Sequence, residues 1–173
     1  LFNPNEKKLH RIVPTEIDQK GRLIKGVVHD ENARALGGLA GHAGLFSNSY
    51  EIAVLLQTMI QGGSYNDKKI FLQDSFDTFN KCYYCEFNNR SGVGFDKPQI
   101  EGKHGSTFGG VSMNSFGHYG YTGSMVWADP DEEIIFIFLS NRTYPTRRNT
   151  LLQTSNIRTR SQEIVYRSLI EIK

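Results

Sequence analysis

A chain of 173 residues with a formal net charge of +2 and 22% charged residues is long enough to bury a core of its own. That balance favours no class of partner, and no run approaches the ~20 consecutive apolar residues of a membrane span, so no membrane-crossing segment is expected. Near the end Arg142, Arg147, Arg148, Arg158, Arg160, Arg167 and Lys173 face only Glu163 and Glu171; without interleaved aromatics or a known module they read as a solvated face and not as a nucleic-acid site.

Residues 1–46 hold few periodic apolar positions and many Gly, Pro, Asp and Asn. This predicts a long extended segment lying against another part of the protein, because it is too long for a free loop in a compact domain. Residues 47–60 give the cleanest helix. Ser47 or Asn48 would cap it, Glu51 sits in its first turn, Ile52, Leu55, Leu56, Met59 and Ile60 line one face, and Gly62-Gly63 stops it. A turn at Asn66-Asp67 and a shorter helix over 74–80 follow. The spacing Cys82-Tyr83-Tyr84-Cys85 fits a redox pair, a local disulfide or half of a zinc site. Only His104 offers a conceivable further ligand, so a structural thiol pair or small disulfide is favoured. The Gly-rich stretch 91–110 leads to two strands, Met125 to Asp129 and Ile134 to Leu139, around a turn at Asp129-Pro130-Asp131. From about Ser155, the positions of Ile157, Ile164, Val165, Leu169 and Ile172 predict a terminal helix packed on the sheet. Helices with a short antiparallel sheet predict an α+β fold.

The run Gly117-His118-Tyr119-Gly120-Tyr121-Thr122-Gly123-Ser124 places glycines, a histidine and hydroxyl groups directly before strand-forming residues. Glycine there lets a ligand approach the backbone closely. Continued through Phe138-Leu139-Ser140-Asn141-Arg142, the run resembles the third motif and following hairpin of the serine beta-lactamase and penicillin-binding-protein superfamily. The likeness is greatest to the class C-like esterase branch, where His-x-Gly often stands in place of Lys-Thr-Gly. Gly26-Val27-Val28-His29-Asp30-Glu31-Asn32-Ala33 and Leu36-Gly37-Gly38-Leu39-Ala40-Gly41-His42-Ala43-Gly44-Leu45-Phe46-Ser47 look like segments of the same family, in the right order.

The resemblance implies a beta-lactamase/transpeptidase-like α+β fold, present in part. Residues 1–46 would form a cleft segment, 47–110 part of the helical lobe, and 111–173 the sheet strands and terminal helix. Members carrying these segments are sometimes fused behind a beta-N-acetylglucosaminidase-like glycosidase domain. The implied setting is therefore cell-wall material, a periplasmic or exported location and a small-molecule or peptidoglycan-related substrate, with no cofactor. Fold-level analogy alone does not fix that substrate.

His118 matches the first position of the third motif, where a polar or basic side chain would face the nucleophile's surroundings, the substrate carbonyl or a carboxylate. Tyr119 stands where Thr is usual, and His118 replaces a permanent positive charge. The loss of that charge argues against recognition of a β-lactam carboxylate, and both departures argue against efficient lactamase activity. The resemblance places an oxyanion-hole backbone N–H at Tyr121. Gly120, His42 and Asn141 fall at the rim of the implied cavity, with loop capping by His42 and a turn role for Asn141 as equal readings. His29, Asp30, Glu31 and His42 invite a metal reading, but adjacent residues on an extended chain point to opposite faces, so hydrogen bonding is expected and no metal site.

The superfamily's nucleophile lies in Ser-x-x-Lys, with a Tyr-x-Asn or Ser-x-Asn motif later. No serine of this chain has a lysine three residues on. Ser112-Met113-Asn114 fits the second motif formally, and Tyr166-Arg167-Ser168 lies on the expected terminal helix; both read as coincidence. With a start at Leu1-Phe2, the expectation is the C-terminal part of a longer polypeptide, partnered by a missing N-terminal part of the same domain and inactive alone. The alternative is a non-catalytic binding or scaffolding module beside a glycosidase domain.

Overall fold

The computed structural model describes residues 1–98, 105 and 107–170. His104, weighed above as a zinc ligand, and Ile172, on the expected face of the terminal helix, lie outside the described residues. In chain order, a 3-10 turn over Glu6–Arg11 precedes β1 (Pro14–Ile17), β2 (Leu23–Lys25), α1 (Glu31–Ala35), α2 (Ser49–Ile60), β3 (Ser64–Tyr65), β4 (Lys68–Lys69) and α3 (Gln73–Asn80). A second 3-10 turn, Cys85–Phe87, leads to β5 (Phe116–Tyr119), β6 (Met125–Asp129), β7 (Ile134–Phe138), α4 (Leu151–Thr154) and α5 (Ile157–Ile170). The chain is α+β, and all strand pairs among the described residues are antiparallel.

The described residues group into two compact units. One comprises Leu1–Asn48, Tyr121–Ser124 and Leu139–Ser155; the other comprises Ser49–Gly120, Met125–Phe138 and Asn156–Lys173.

In the first unit, residues 1–46 hold more regular structure than the extended segment their composition predicts. β1 and β2 form a hairpin closed by Asp18, whose carboxylate accepts the Lys20 and Arg22 N–H groups. Asp30 caps α1 by accepting from the Ala33 N–H at 2.8 Å, which satisfies a helix-end donor that composition alone leaves unaccounted for. The other edge of β1 is met by the segment after β7. Asn141 Nδ2 donates to the Pro14 carbonyl, the Thr143 hydroxyl lies 2.9 Å from the Thr15 carbonyl, and the Ile17 N–H donates to the Pro145 carbonyl at 3.0 Å.

In the second unit, β5, β6 and β7 form a sheet in that order. Period-2 alternation divides its side chains between two faces. Met125, Trp127, Ile134 and Phe136 pack with Tyr166 of α5. Phe116 and Ala128 pack with Leu56 of α2, joined by Phe76 and Phe95. Burying a large apolar side chain contributes roughly 1.5–3 kcal/mol, so these two clusters dominate the unit. Gly117 is required by this packing: a Cβ there would strike the Val126 carbonyl oxygen and the Trp127 ring.

α2 begins at Ser49, directly after Asn48, one of the two expected caps, and stops before Gly62-Gly63, both in the left-handed region, with the Gly63 N–H on the Thr58 carbonyl. Leu55, placed above on its apolar face, is exposed. The Asn66-Asp67 turn has both residues at positive φ and closes the β3–β4 hairpin. α5 packs in a different register from the one its aliphatic residues predict. Ile164 and Leu169 are exposed, whereas Gln162 and Tyr166 are fully buried. The reason is polar: Asp129, wholly buried, accepts the Tyr166 hydroxyl at 3.1 Å and the Ser112 N–H at 2.9 Å. A buried carboxylate must be hydrogen-bonded, and α5 turns its tyrosine inward to do it. Tyr166 therefore belongs to the core. Cys82 and Cys85 form a disulfide.

Lys97 is 6% exposed, and among the described residues its ammonium donates to the Asn80 side-chain oxygen and the Asn114 carbonyl, each at 3.2 Å, and lies 5.9 Å from the Phe116 ring centre. Burial first, then the charge of Arg90, lowers its pKa to about 8. A folded-state value below that of the unfolded chain means the folded state carries a charge penalty below about pH 8, relieved as pH rises toward the ordinary lysine value. Lys97→Met is expected to raise the melting temperature at pH 7, with the gain shrinking above about pH 8, as followed by circular-dichroism melts across pH. Tyr166→Phe, which removes one donor from Asp129, is expected to cost ~1.5–3 kcal/mol in denaturant unfolding.

Candidate active site

The alternation of β5 decides what the His-x-Gly run presents. His118 shares the face of Phe116, its side chain exposed, with Nδ1 2.8 Å from the Tyr119 carbonyl. Tyr119 points the other way. It packs against the cluster that includes Trp127 and Tyr166, with the Arg158 guanidinium 4.3 Å from its ring centre, and burial raises its pKa. The side chains of His118 and Tyr119 thus lie on opposite faces of the sheet. Tyr119 packs beneath the strand. Arg158 also approaches the Gly120 carbonyl, 3.4 Å from Nη1.

Tyr121 begins the loop Tyr121–Ser124 of the first unit, where its ring is exposed and its main chain is held. Arg142, 7% exposed, donates through Nε to the Tyr121 carbonyl at 2.8 Å and lays its guanidinium 4.3 Å from the Tyr121 ring centre. The Arg142 N–H donates to the Thr122 carbonyl at 2.7 Å, and Nη1 donates to the Arg147 and Asn149 carbonyls. On the tyrosine itself, the His29 ring stacks at a centroid distance of 5.2 Å. Gly123 completes the loop at φ +114°, where a Cβ would strike Ser140 Oγ. A cation spanning both a carbonyl and a ring face fixes this loop more firmly than a single hydrogen bond would.

His29 is itself anchored. Its Nε2 lies 2.9 Å from Glu16 Oε2, both side chains 7% exposed. Glu16 also takes two donors from Arg147, at 2.7 Å and 3.1 Å, and Arg147 reaches Glu31 at 2.7 Å. The Arg147 bond is the largest cause of the lowered Glu16 pKa, ahead of the opposing effect of burial. Arg147 is raised in turn by Glu16 and Glu31. A continuous chain of contacts therefore runs from Glu31 through Arg147, Glu16 and His29 to Tyr121.

His42 pairs with Asp30 at 3.1 Å, and Asp30 is held low by the Ala33 N–H and then by His42. This matches the loop-capping reading of His42. Asn141 is committed to the backbone of β1 and to the Thr143 hydroxyl, 2.8 Å from its Oδ1, so its side chain joins segments of the first unit. His29, Asp30 and Glu31 each take a different partner, and among the described residues no group of three or more His, Cys, Asp or Glu side chains is placed to hold a metal ion. No helix of the described residues is long and apolar enough to cross a membrane. Glu16, Arg142 and Arg147 are the residues sequence reasoning missed. Glu16 sits in a strand among ordinary polar neighbours, and its arginine lies 131 positions away. The only available signal was the excess of arginines after β7.

A chain with this α+β fold and a His-x-Gly strand ahead of a pinned loop belongs to the Beta-lactamase family, whose profile matches residues 3–156. It is similar to a protein of Escherichia coli (strain K12) named "Putative D-alanyl-D-alanine carboxypeptidase", 34% identical over 162 residues, covering 83% of this chain and 36% of that protein. A protein of the same name from Escherichia coli O157:H7 is 37% identical over 164 residues with the same coverage. Another from Salmonella enteritidis PT4 is 35% identical over 123 residues, covering 69% of this chain and 27% of the relative. The chain thus spans about a third of the length of the first curated relatives it matches.

Breaking the Glu16 pair tests the chain of contacts. Arg147 is 40% exposed, so Arg147→Ala is expected to cost ~2–3 kcal/mol, less than a fully buried pair. Because the folded-state pKa of Glu16 lies below its ordinary value, the stabilisation is present above the ordinary carboxylate range and lost as pH falls through the folded value. Resistance of the unaltered protein to denaturant should fall on acidification below about pH 4, and Glu16→Gln should flatten that dependence.

Proposed function

We propose that this chain is the C-terminal part of a beta-lactamase-like serine hydrolase that works through an acyl-enzyme on an ester, an amide or a peptidoglycan-related substrate. The names of its relatives favour the bond before a terminal D-alanine. A serine hydroxyl attacks the carbonyl carbon, its proton passing to a neighbouring base, and the leaving group departs with a proton. Water then cleaves the acyl–serine ester. The oxyanion formed at each step is stabilised by backbone N–H donors. In this reading the chain contributes the Tyr121 N–H as one donor and His118 as a neutral-pH hydrogen-bonding group near the reacting carbonyl. The nucleophile comes from a Ser-x-x-Lys outside these residues, since none occurs here. The exported setting and any upstream glycosidase domain belong to the same proposal.

The observation that carries this reading is the pinning of Tyr121, its carbonyl by Arg142 and its ring by the His29 ring. An oxyanion donor works by being fixed before charge develops, and loss of one donor typically costs ~10²–10³ in turnover. A loop with only a packing role would not need a buried guanidinium on its carbonyl.

The complete gene product, its His118→Ala variant and this 173-residue chain should be treated with fluorescent penicillin and a fluorophosphonate, alongside p-nitrophenyl acetate hydrolysis. Expected are covalent labelling of the complete product at a serine outside this chain, ester turnover reduced ~10²-fold or more by His118→Ala, and no labelling of the chain alone. Labelling of the isolated chain at one serine would overturn the assignment of the nucleophile. Absence of labelling and turnover throughout would replace the hydrolase with a binding module.

A further inference from the structure

The second unit contains a cavity of about 500 Å³, within the range of small-molecule sites. Met59, Ile60, Phe76 and Phe116 supply apolar wall, and Arg90 and Lys97 supply positive charge. None of the lining residues belongs to the run Gly117–Ser124. Among the described residues, every hydrogen-bond acceptor of these two cations is uncharged. Lys97 donates to the Asn80 side-chain oxygen and the Asn114 carbonyl, and Arg90 donates to the Pro98 carbonyl with Nη1 2.8 Å from Cys85 Sγ. An ammonium has three donors and a guanidinium five, so both groups retain capacity.

The carboxylates in the same lining, Asp77 and Asp131, accept from the side-chain amides of Gln73 and Asn114. Among the described residues, no ion pair joins either to Lys97 or Arg90. With Lys81 also in the lining, positive groups outnumber negative ones. A lysine 6% exposed, on which burial and Arg90 outweigh the opposing charge of Asp131, destabilises the fold when protonated, and groups kept at such a cost concentrate at binding sites.

We propose that this cavity binds a small organic carboxylate, the anion against Lys97 and Arg90 and the apolar body against Phe76, Phe116, Met59 and Ile60. The site is independent of the hydrolase reading. It pairs a desolvated cation, where an ionic contact gains most, with apolar surface that an inorganic anion would leave unused.

The test is titration calorimetry of the protein with phenylacetate, phenylacetamide and inorganic phosphate. Phenylacetate is expected to bind saturably, with the amide and phosphate each roughly tenfold weaker or more. Affinity for phenylacetate should fall as pH rises through about 8, where Lys97 loses its proton with Arg90, Lys81, Asp77 and Asp131 facing the same space. Lys97→Met, which keeps the side-chain length, should remove the preference for acid over amide. Equal affinity for acid and amide, or no saturable binding of phenylacetate, would overturn the proposal on the unaltered protein, whether or not the variant folds. Phosphate binding as tightly as phenylacetate would overturn the organic part of it.

Discussion

A buried carboxylate governs the first unit. Glu16 lies on β1, 5% exposed, and an ionised carboxylate at that depth is tolerated only when paired and hydrogen-bonded. It receives Arg147 from beyond β7 and His29 from the segment before α1. Those two partners fix where the distant chain segments cross β1, and the bonds of Asn141, Thr143 and Pro145 follow the same edge. Once His29 is held by Glu16, its ring offers a flat surface to Tyr121, and Arg142 closes on the opposite requirement, the Tyr121 carbonyl. The order of the loop Tyr121–Ser124 thus descends from one desolvated charge.

The second unit obeys a different constraint. Its sheet is buried on both faces, so β5, β6 and β7 divide their side chains strictly between two clusters. That division separates His118 from Tyr119, and the unusual tyrosine at the middle of the motif is explained by packing against Trp127 and Tyr166 with Arg158 beside it. The two departures from the family pattern are therefore of different kinds. His118 is an exposed side chain on the Phe116 face of β5, whereas Tyr119 packs on the other face.

Buried polar groups mark the places where sequence reading and structure part. α5 was legible as a helix, but its inward face was not, because its burial follows the demand of Asp129 for the Tyr166 hydroxyl and not the positions of its isoleucines and leucines. Lys97 shows the same limit. In the sequence it is one lysine among many; in the fold it is desolvated beside Arg90, and its described hydrogen-bond acceptors are the neutral oxygens of Asn80 and Asn114. Neither environment is encoded by neighbours along the chain.

The sequence by itself determined the α+β class, the hairpin of β6 and β7 about Asp129-Pro130-Asp131, the stop of α2 at Gly62-Gly63, the Asn66-Asp67 turn and the family, through the His-x-Gly run and the two segments before it. The turns, the helix stop and the strands rest on interactions within a few residues, through turn dihedrals, caps and short-range periodicity, whereas the family rests on the likeness of those motifs. The tertiary structure alone decided that Glu16, His29, Arg142 and Arg147 form one chain of contacts ending on Tyr121, and that His42 and Asn141 serve the scaffold. The physical reason is that a buried charge selects its partner by position in space, and here the partner stands 131 residues away, beyond the reach of any local signal.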